Sequence, residues 1–271
     1  MDEAANVEGS RDDEQPDEAE PPTKTVTADP LVVELPSITN TIDMSLKLEP
    51  AGTFMMGSPE CEEGRREDEH QHQVTISKAF YIQTTEVTQV QYERVMGVNP
   101  SHFKDADNPV ENESWEVAVE FCRKLSELPA EKAEGNVYHV PTEAEWEHVC
   151  RAGTTTKFSF ANDDSELGDY AWWMWNSDDK THPVGSEHPN AWGLYDKHGN
   201  VWEWCQDWYG DYPSGAVTDP IGPTTGSLRV IRGHGWFLTG PISRSAYRGR
   251  NDPSFRVRNY GFRVCLSPSG K

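Results

Sequence analysis

An aromatic motif at residues 199–209 constrains the fold more than any other stretch: it reads Gly-Asn-Val-Trp-Glu-Trp-Cys-Gln-Asp-Trp-Tyr. Two further segments, 141–147 and 189–196, also combine tryptophan with carboxylates and turn residues. Buried indole N–H groups need hydrogen-bond partners, which Glu203 and Asp207 can supply. With 10 tryptophans in the chain, these motifs indicate a rigid, loop-built domain around an aromatic core, and by themselves they name no reaction.

Capping residues predict three helices. Thr88 with Gln91 and Thr142 with Glu145 match capping boxes, and Ser114 precedes residues whose apolar side chains share one face. The first helix should end at Gly97, the second before Pro129 and the third at Gly153. Short strands are predicted at 53–56, 73–76, 79–84, 229–232 and 261–265.

The charge balance excludes several classes of partner. The chain has 46 Asp and Glu against 24 Lys and Arg, a formal net charge of −22. Nucleic acids and anionic membranes require an excess of basic residues, so neither is expected as a partner. Residues 1–37 are rich in acids and proline and poor in large apolar side chains, which predicts a disordered tail before a folded domain at 38–271.

The expected compartment follows from leader and cysteine signals. No apolar run reaches the length of a membrane span, and the acidic N-terminus lacks the apolar stretch of a signal peptide. The 5 cysteines are widely spaced and form no CxxC pair. We expect a soluble cytoplasmic protein of bacterial type, with export after removal of a leader as the alternative.

The longer motifs resemble those of a known family. They are residues 50–58, 85–92, 108–111, 114–115, the three aromatic segments, 229–233, Arg248 and 261–264. Together they resemble the formylglycine-generating enzyme, or sulfatase-modifying factor, family over about residues 38–266. The resemblance implies a single α+β domain with a complex C-type-lectin-like fold and little regular secondary structure. It also implies oxidation of a sulfatase cysteine, in a Cys-x-Pro-x-Arg context, by O2 and a copper(I) ion held by two cysteines.

The chain departs from the family at those two cysteines. The resemblance places Leu238 and Ser243 at their positions, and no cysteine occurs between residues 206 and 264. Copper(I) needs soft thiolate ligands, so copper is not expected and no catalytic residue is assigned. We therefore interpret the chain as a family member without formylglycine-generating activity. The alternative is an oxidoreductase that forms formylglycine or performs a related O2-dependent oxidation. Whether the chain is an enzyme therefore stays open at this point.

A structural calcium ion is implied by the same resemblance. The family's ligand positions match Asp196, Gly199, Val201 and Glu203, which combine carboxylate and backbone carbonyl oxygens of the kind calcium prefers. The alternative is that Glu203 accepts a hydrogen bond from an indole and holds no metal.

The altered segment, residues 233–243, is the predicted binding surface for a protein, a peptide or a small ligand. Its candidate residues are His234, Trp236, Arg244 and Arg248, since tryptophan and arginine are common interface anchors. His234 either contributes to ligand or metal binding or has no such role. Trp172, Trp173 and Trp175 either extend the surface or fill the core.

Overall fold

The computed structural model describes residues 36–267, so the predicted tail lies outside the described residues except for Pro36 and Ser37. Residue contacts place the described part within one unit, Leu31–Lys271. Between residues 36 and 267, no helix combines the length and apolarity needed to cross a bilayer.

The three predicted helices are confirmed. The helices of the described residues are α1 (Gln89–Met96), α2 (Trp115–Glu127), α3 (Pro129–Glu134), α4 (Glu143–Arg151) and α5 (Leu167–Tyr170). Both capping boxes form, because Thr88 and Thr142 accept backbone N–H groups while Gln91 and Glu145 reach back to the cap. Ala152, with φ of 46°, ends α4 one residue before the predicted Gly153.

The strands form three small sheets. They are β1 (Ser37–Thr39), β2 (Ser45–Glu49), β3 (Gly52–Met56), β4 (His72–Ile76), β5 (Phe80–Gln83), β6 (Val137–His139), β7 (Trp202–Trp208), β8 (Val217–Thr218), β9 (Arg229–Gly233), β10 (Gly249–Asn251), β11 (Tyr260–Gly261) and β12 (Cys265–Ser267). The sheet orders are β1-β2-β5-β12-β6, β10-β9-β7-β11 and β3-β4-β8. Helices packed beside mainly antiparallel strands make this an α+β fold, as predicted.

One predicted strand was wrong. Residues 261–265 do not form a continuous strand, because Gly261 pairs with β7 while Cys265 pairs with β5 and β6. The chain passes from one sheet to another between them, where Phe262 and Val264 are both buried. Their carbonyls accept hydrogen bonds from Val87 and Gln83 in place of a strand ladder.

The aromatic motif at 199–209 contributes the strand β7 and anchors the core. Trp204 is fully buried and its indole N–H donates to the Glu113 carbonyl at 3.0 Å. Trp146 of α4 is also fully buried and donates to the Glu203 carboxylate at 2.8 Å. The predicted core of hydrogen-bonded aromatics is therefore confirmed, and it brings α4, β7 and β9 together.

Candidate functional site

The segment that departs from the family follows β9 directly. Backbone hydrogen bonds fix it, because Trp236 N–H donates to the Asn200 carbonyl at 2.8 Å and Met174 N–H donates to the Leu238 carbonyl at 3.2 Å. Leu238 is half-buried, whereas Ser243 is fully buried and its carbonyl lies 2.7 Å from His198 Nδ1. The segment is thus part of the packed domain.

This segment does not fit copper(I). Leu238 has no ligand atom and Ser243 offers a hydroxyl, whereas copper(I) selects thiolates and thioethers. Burial raises the pKa of all the interior thiols among the described residues, which are Cys122, Cys150, Cys205 and Cys265. All four of these thiols lie outside the segment. Accordingly, no copper chemistry is derived for this chain.

An open cleft of about 450 Å³ lies beside the altered segment. Its wall combines aromatic and arginine side chains: Arg66, Trp202, Phe237, Tyr247, Arg250 and Phe255. Phe237 and Phe255 are 36% and 45% exposed, so large apolar faces are accessible to a partner. No cysteine lines this cleft.

Two arginines of the cleft, Arg66 and Arg250, share a single acidic partner among the described residues, so their positive charge is only partly neutralised. Arg66 and Arg250 both approach Asp68, at 3.3 and 3.9 Å, so one carboxylate serves two guanidinium groups. Arg66 Nη1 also donates to the Tyr247 hydroxyl at 2.8 Å. The rim of the cleft is therefore cationic, although the chain as a whole is strongly acidic.

His234 is buried and has no exposed face. Burial lowers its pKa to about 3, and the Thr239 backbone offsets only part of this effect. Neither ring nitrogen makes a hydrogen bond of good geometry to a described residue, and the ring lies 6.1 Å from that of Trp202. The side chain is neutral at physiological pH and faces the interior beneath the cleft wall.

Arg244 is committed to internal ion pairs. Its guanidinium donates to both carboxylate oxygens of Glu69 at 2.7 Å and to Glu62 at 2.7 Å. It also donates to the Gly64 carbonyl at 2.7 Å. Arg244 thus links the loop at residues 62–69 to the end of the altered segment. Its buried position does not support the predicted role of Arg244 as a surface binding residue.

Trp236 and Arg248 are also largely buried. Trp236 donates its indole N–H to the Arg258 carbonyl at 3.2 Å and packs edge-on against Phe103. Arg248 makes a bidentate ion pair with Glu143 and lies over the Tyr212 ring. Arg248 also lines the cleft, whereas the other three predicted binding residues do not.

The three tryptophans near residue 173 divide between core and surface. Trp173 packs against a buried cluster that contains Phe158 and Leu167. Trp172 is half-buried and stacks on His182, with ring centroids 3.7 Å apart. Trp175 is 72% exposed.

The predicted calcium ligands separate into two environments. Glu203 is fully buried and both its oxygens accept hydrogen bonds from Arg263, at 2.6 and 2.7 Å. Trp146 and Lys197 lie beside the same carboxylate, and the neighbouring cations hold the pKa of Glu203 below its usual range despite burial. Arg263 and Lys197 already balance the charge of Glu203, so this carboxylate has less need of a calcium ion than an unpaired one would.

Asp196 does fit. It is buried in a left-handed conformation with φ of 58°, and its Oδ1 has no hydrogen-bond donor among the described residues. Glu86, which the sequence analysis did not single out, is fully buried beside it with Oε2 likewise unpartnered. Burial raises the pKa of Asp196 to about 6, and burial together with the Asp196 charge raises that of Glu86. Such a pair needs a proton or a cation.

The most exposed part of the cleft was missed from the sequence. Arg66, Tyr247, Arg250 and Phe255 were not among the predicted binding residues. The available signal was charge patterning: residues 244–258 contain five arginines and a single acid, Asp252, in a chain of net charge −22.

Sequence comparison finds relatives over most of the chain. Residues 14–268 match the sequence profile of the sulfatase-modifying factor enzyme 1-like domain. The chaperone protein LppX of Paenibacillus barcinonensis is 32% identical over 240 residues, covering 72% of this chain and 82% of that protein. The formylglycine-generating enzyme of Streptomyces coelicolor is 32% identical over 174 residues, covering 58% of this chain and 52% of that enzyme. The chain thus aligns with about half the length of that enzyme.

Two solved structures share the fold at similar identity. Treponema denticola variable protein 1 superposes with a TM-score of 0.77 at 32% identity, covering 86% of this chain and 99% of that one. PvdO from Pseudomonas aeruginosa gives a TM-score of 0.75 at 30% identity, covering 86% and 98%.

Proposed function

The chain belongs to the sulfatase-modifying factor enzyme 1-like domain family, and on that premise we propose that it is a polypeptide-binding member without formylglycine-generating activity. The observation that carries this proposal is the cleft beside the altered segment. Where the resemblance places two copper-binding cysteines, the chain has Leu238 and Ser243, and the adjoining cleft exposes aromatic and arginine side chains. The oxidoreductase alternative requires thiolate ligands that this segment lacks.

The chemistry of the cleft favours an acidic, aromatic segment of polypeptide. Arg66 and Arg250 share one carboxylate, so they can pair with acids of a partner. Phe237 and Phe255 offer apolar faces for an aromatic or aliphatic side chain. Among the relatives, one is named a chaperone and others are named formylglycine-generating enzymes, which supports recognition of polypeptides as a theme of the family.

Binding to synthetic polypeptides tests this proposal. The labelled random copolymer of glutamate and tyrosine should bind the full chain, polyglutamate should bind more weakly, and polylysine should not bind at the cleft. Arg250→Ala and Phe237→Ala should each weaken copolymer binding about tenfold, or about 1.4 kcal/mol. Arg123→Ala is the matched control, because Arg123 is an exposed arginine of α2 paired with Glu120 and Glu127.

Two outcomes would overturn the proposal. One is the absence of copolymer binding to the native chain. The other is equal binding by the native chain, Arg250→Ala and Phe237→Ala, since the copolymer would then attach elsewhere.

We also propose a structural calcium ion in a revised ligand set. Asp196 and Glu86 would supply carboxylate oxygens, with backbone carbonyls of Gly199 and Val201, and Glu203 would remain with Arg263. The support is a pair of adjacent buried carboxylates, each with one oxygen that no N–H or hydroxyl group of the described residues reaches, since hard oxygen ligands suit calcium. The ion would supply charge neutralisation and rigidity and no redox chemistry.

Thermal unfolding tests the calcium proposal. Calcium should raise the Tm of the native chain in a concentration-dependent way, because an ion that binds only the folded state stabilises it by mass action. Asp196→Asn should abolish this rise. Asp169→Asn is the control and should keep the rise, because Asp169 is an exposed acid outside the pair. A Tm that does not respond to calcium would contradict the proposal and leave a shared proton as the partner of the pair.

A further inference from the structure

A second cluster of potential metal ligands lies on the five-stranded sheet. Cys265 of β12 pairs directly with His139 of β6, the edge strand of that sheet. Directly paired residues of neighbouring strands place their side chains on the same face. Glu145 joins them from the first turn of α4. One nitrogen of His139, one carboxylate oxygen of Glu145 and the sulfur of Cys265 all lie within 4.8 Å of one another.

The imidazole of His139 is oriented for metal binding. Its Nδ1 lies 3.1 Å from the Val140 carbonyl oxygen, which can only accept a hydrogen bond. The contact selects the tautomer in which Nδ1 carries the proton and Nε2 keeps its lone pair. Histidines that bind metals commonly donate the other ring N–H to a backbone carbonyl in this way. Nε2 lies 3.3 Å from the Ser267 hydroxyl, on the strand that carries Cys265.

Glu145 uses only one of its two carboxylate oxygens in the capping box. The carboxylate accepts a hydrogen bond through Oε2 from the Thr142 backbone at 2.8 Å, which closes the capping box. Among the described residues no group donates a hydrogen bond to Oε1, so this oxygen is left for a ligand. Because the side chain is held by the helix N-terminus, it is positioned before any ion arrives.

The arrangement differs from that of a catalytic triad. In a triad, the carboxylate binds the ring nitrogen that faces away from the nucleophile. Here the Val140 carbonyl occupies Nδ1, and the Glu145 oxygen lies within 4.8 Å of the Cys265 sulfur as well as of His139. Three ligand-type atoms within 4.8 Å of one another suit a cation better than a proton relay.

We propose that His139, Glu145 and Cys265 bind a divalent ion of the zinc class. Sulfur, imidazole and carboxylate together are the ligand types that zinc takes, and three protein ligands leave a fourth tetrahedral position for water. Cys265 is buried, whereas His139 and Glu145 are half-buried. Glu145 and Ser267 also line a surface cavity of about 460 Å³, so solvent reaches the cluster from the side of Glu145.

Cobalt substitution tests the proposal directly. The full chain without a histidine tag, and with the exposed Cys61 changed to alanine, is titrated with Co²⁺ and then with Zn²⁺. We expect one ion per chain, a thiolate-to-cobalt absorption band, intense visible bands of a tetrahedral ion, and loss of both when zinc displaces cobalt.

Variants assign the ligands. Cys265→Ala should remove the thiolate band, and His139→Gln and Glu145→Gln should each weaken cobalt binding at least tenfold. Glu145→Gln keeps the capping box, because glutamine also serves at that position, so the variant removes a ligand without removing the cap. Cys205→Ala is the matched control, a buried thiol outside the cluster.

The absence of a thiolate band in the native chain would overturn the proposal. So would a band that persists in Cys265→Ala, or cobalt affinity that is unchanged in both His139→Gln and Glu145→Gln. His139 and Glu145 are half-buried. The unfolding midpoints of His139→Gln and Glu145→Gln are compared with that of the native chain, so that a loss of cobalt binding can be told from a loss of folding.

Discussion

At the scale of single residues, buried charge is balanced by carboxylates that are distant in sequence. Arg232 is fully buried between Glu143 and Glu147, with contacts of 2.9 and 2.6 Å, and Arg263 holds Glu203. Lys197 lies 3.6 Å from Glu203 and 3.8 Å from the centre of the Trp146 ring. Buried ions that lose one partner are costly, because the remaining charge cannot be solvated. The interior of this protein is therefore sensitive to changes that neutralise one charge.

Glu203→Gln tests that sensitivity. The change removes the carboxylate charge that pairs with Arg263 and Lys197, and we expect a loss of about 3 kcal/mol in the free energy of unfolding. Glu120→Gln is the matched control at an exposed pair with Arg123, where we expect less than about 1 kcal/mol. Urea unfolding measures both, and equal losses in the two variants would contradict the account.

Asp207→Asn tests the effect of a buried acid on pH dependence. Burial, with repulsion from Glu143, raises the pKa of Asp207 to about 8. The folded state therefore holds a proton that the unfolded state releases near pH 4, so native stability from this group declines as pH rises from about 4 to about 8. Asparagine cannot ionise, and the Tm of the variant minus that of the native chain should grow over this range.

Buried histidines change the pH dependence of stability in the opposite direction, but their contribution is the same in the native chain and in Asp207→Asn and cancels in the Tm difference. The pKa values of His148 and His198 are lowered to about 4 by burial, so both residues reduce stability as pH falls below about 6.5. They are present in both proteins. A Tm difference that is constant from pH 4 to pH 8 would contradict the assignment to Asp207.

At the scale of elements, local signals position the helices. Thr88 accepts a hydrogen bond from the Gln91 backbone, and the Gln91 side chain reaches back to the Thr88 N–H at 3.1 Å. Gly97, with φ of 75°, then ends α1 in a left-handed conformation that glycine adopts without strain.

Thr88→Ala removes the cap of α1. We expect a loss of about 1 kcal/mol in unfolding free energy, because one backbone N–H loses its partner. Thr88→Ser keeps the hydroxyl and should retain most of the stability. Chemical denaturation of the two variants distinguishes a capping role from a packing role, and an equal loss in both would indicate packing.

The contrast between helices and strands shows how much the sequence predicts. Helix starts depend on residues three positions apart, so the capping residues Thr88, Ser114 and Thr142 were sufficient to place α1, α2 and α4. The short β6 and the long β7 were not predicted, because their pairing depends on partners far along the chain. The same limit applies to the site. Arg244 was predicted at the binding surface but is buried, because it pairs with Glu69, which lies 175 residues away in the sequence.

At the scale of the whole molecule, the charge distribution is asymmetric. The chain carries −22, yet residues 244–258 contribute five arginines and a single acid, and Arg248 and Arg250 of this segment line the cleft. An acidic ligand is thus repelled by the chain at long range and attracted at the cleft rim.

Salt should separate the charge contribution from the aromatic contribution. Exposed charges are screened over about 8 Å at physiological ionic strength and over about 3 Å at 1 M salt. Polyglutamate binding should therefore be lost at high salt, whereas the glutamate–tyrosine copolymer should bind more weakly but measurably. Fluorescence anisotropy over a salt series measures both, and identical salt responses would argue against an aromatic contribution from Phe237 and Phe255.

We propose that the altered segment supports polypeptide binding in place of formylglycine formation. The most direct measurement incubates the purified chain with a Cys-x-Pro-x-Arg peptide, copper(I), a reductant and O2, and follows the peptide by mass spectrometry beside an authentic formylglycine-generating enzyme. We expect the thiol to remain unchanged with this chain, while the authentic enzyme converts it to the aldehyde. Aldehyde formed with turnover by this chain would contradict the claim, because Leu238 and Ser243 offer no thiolate for copper(I).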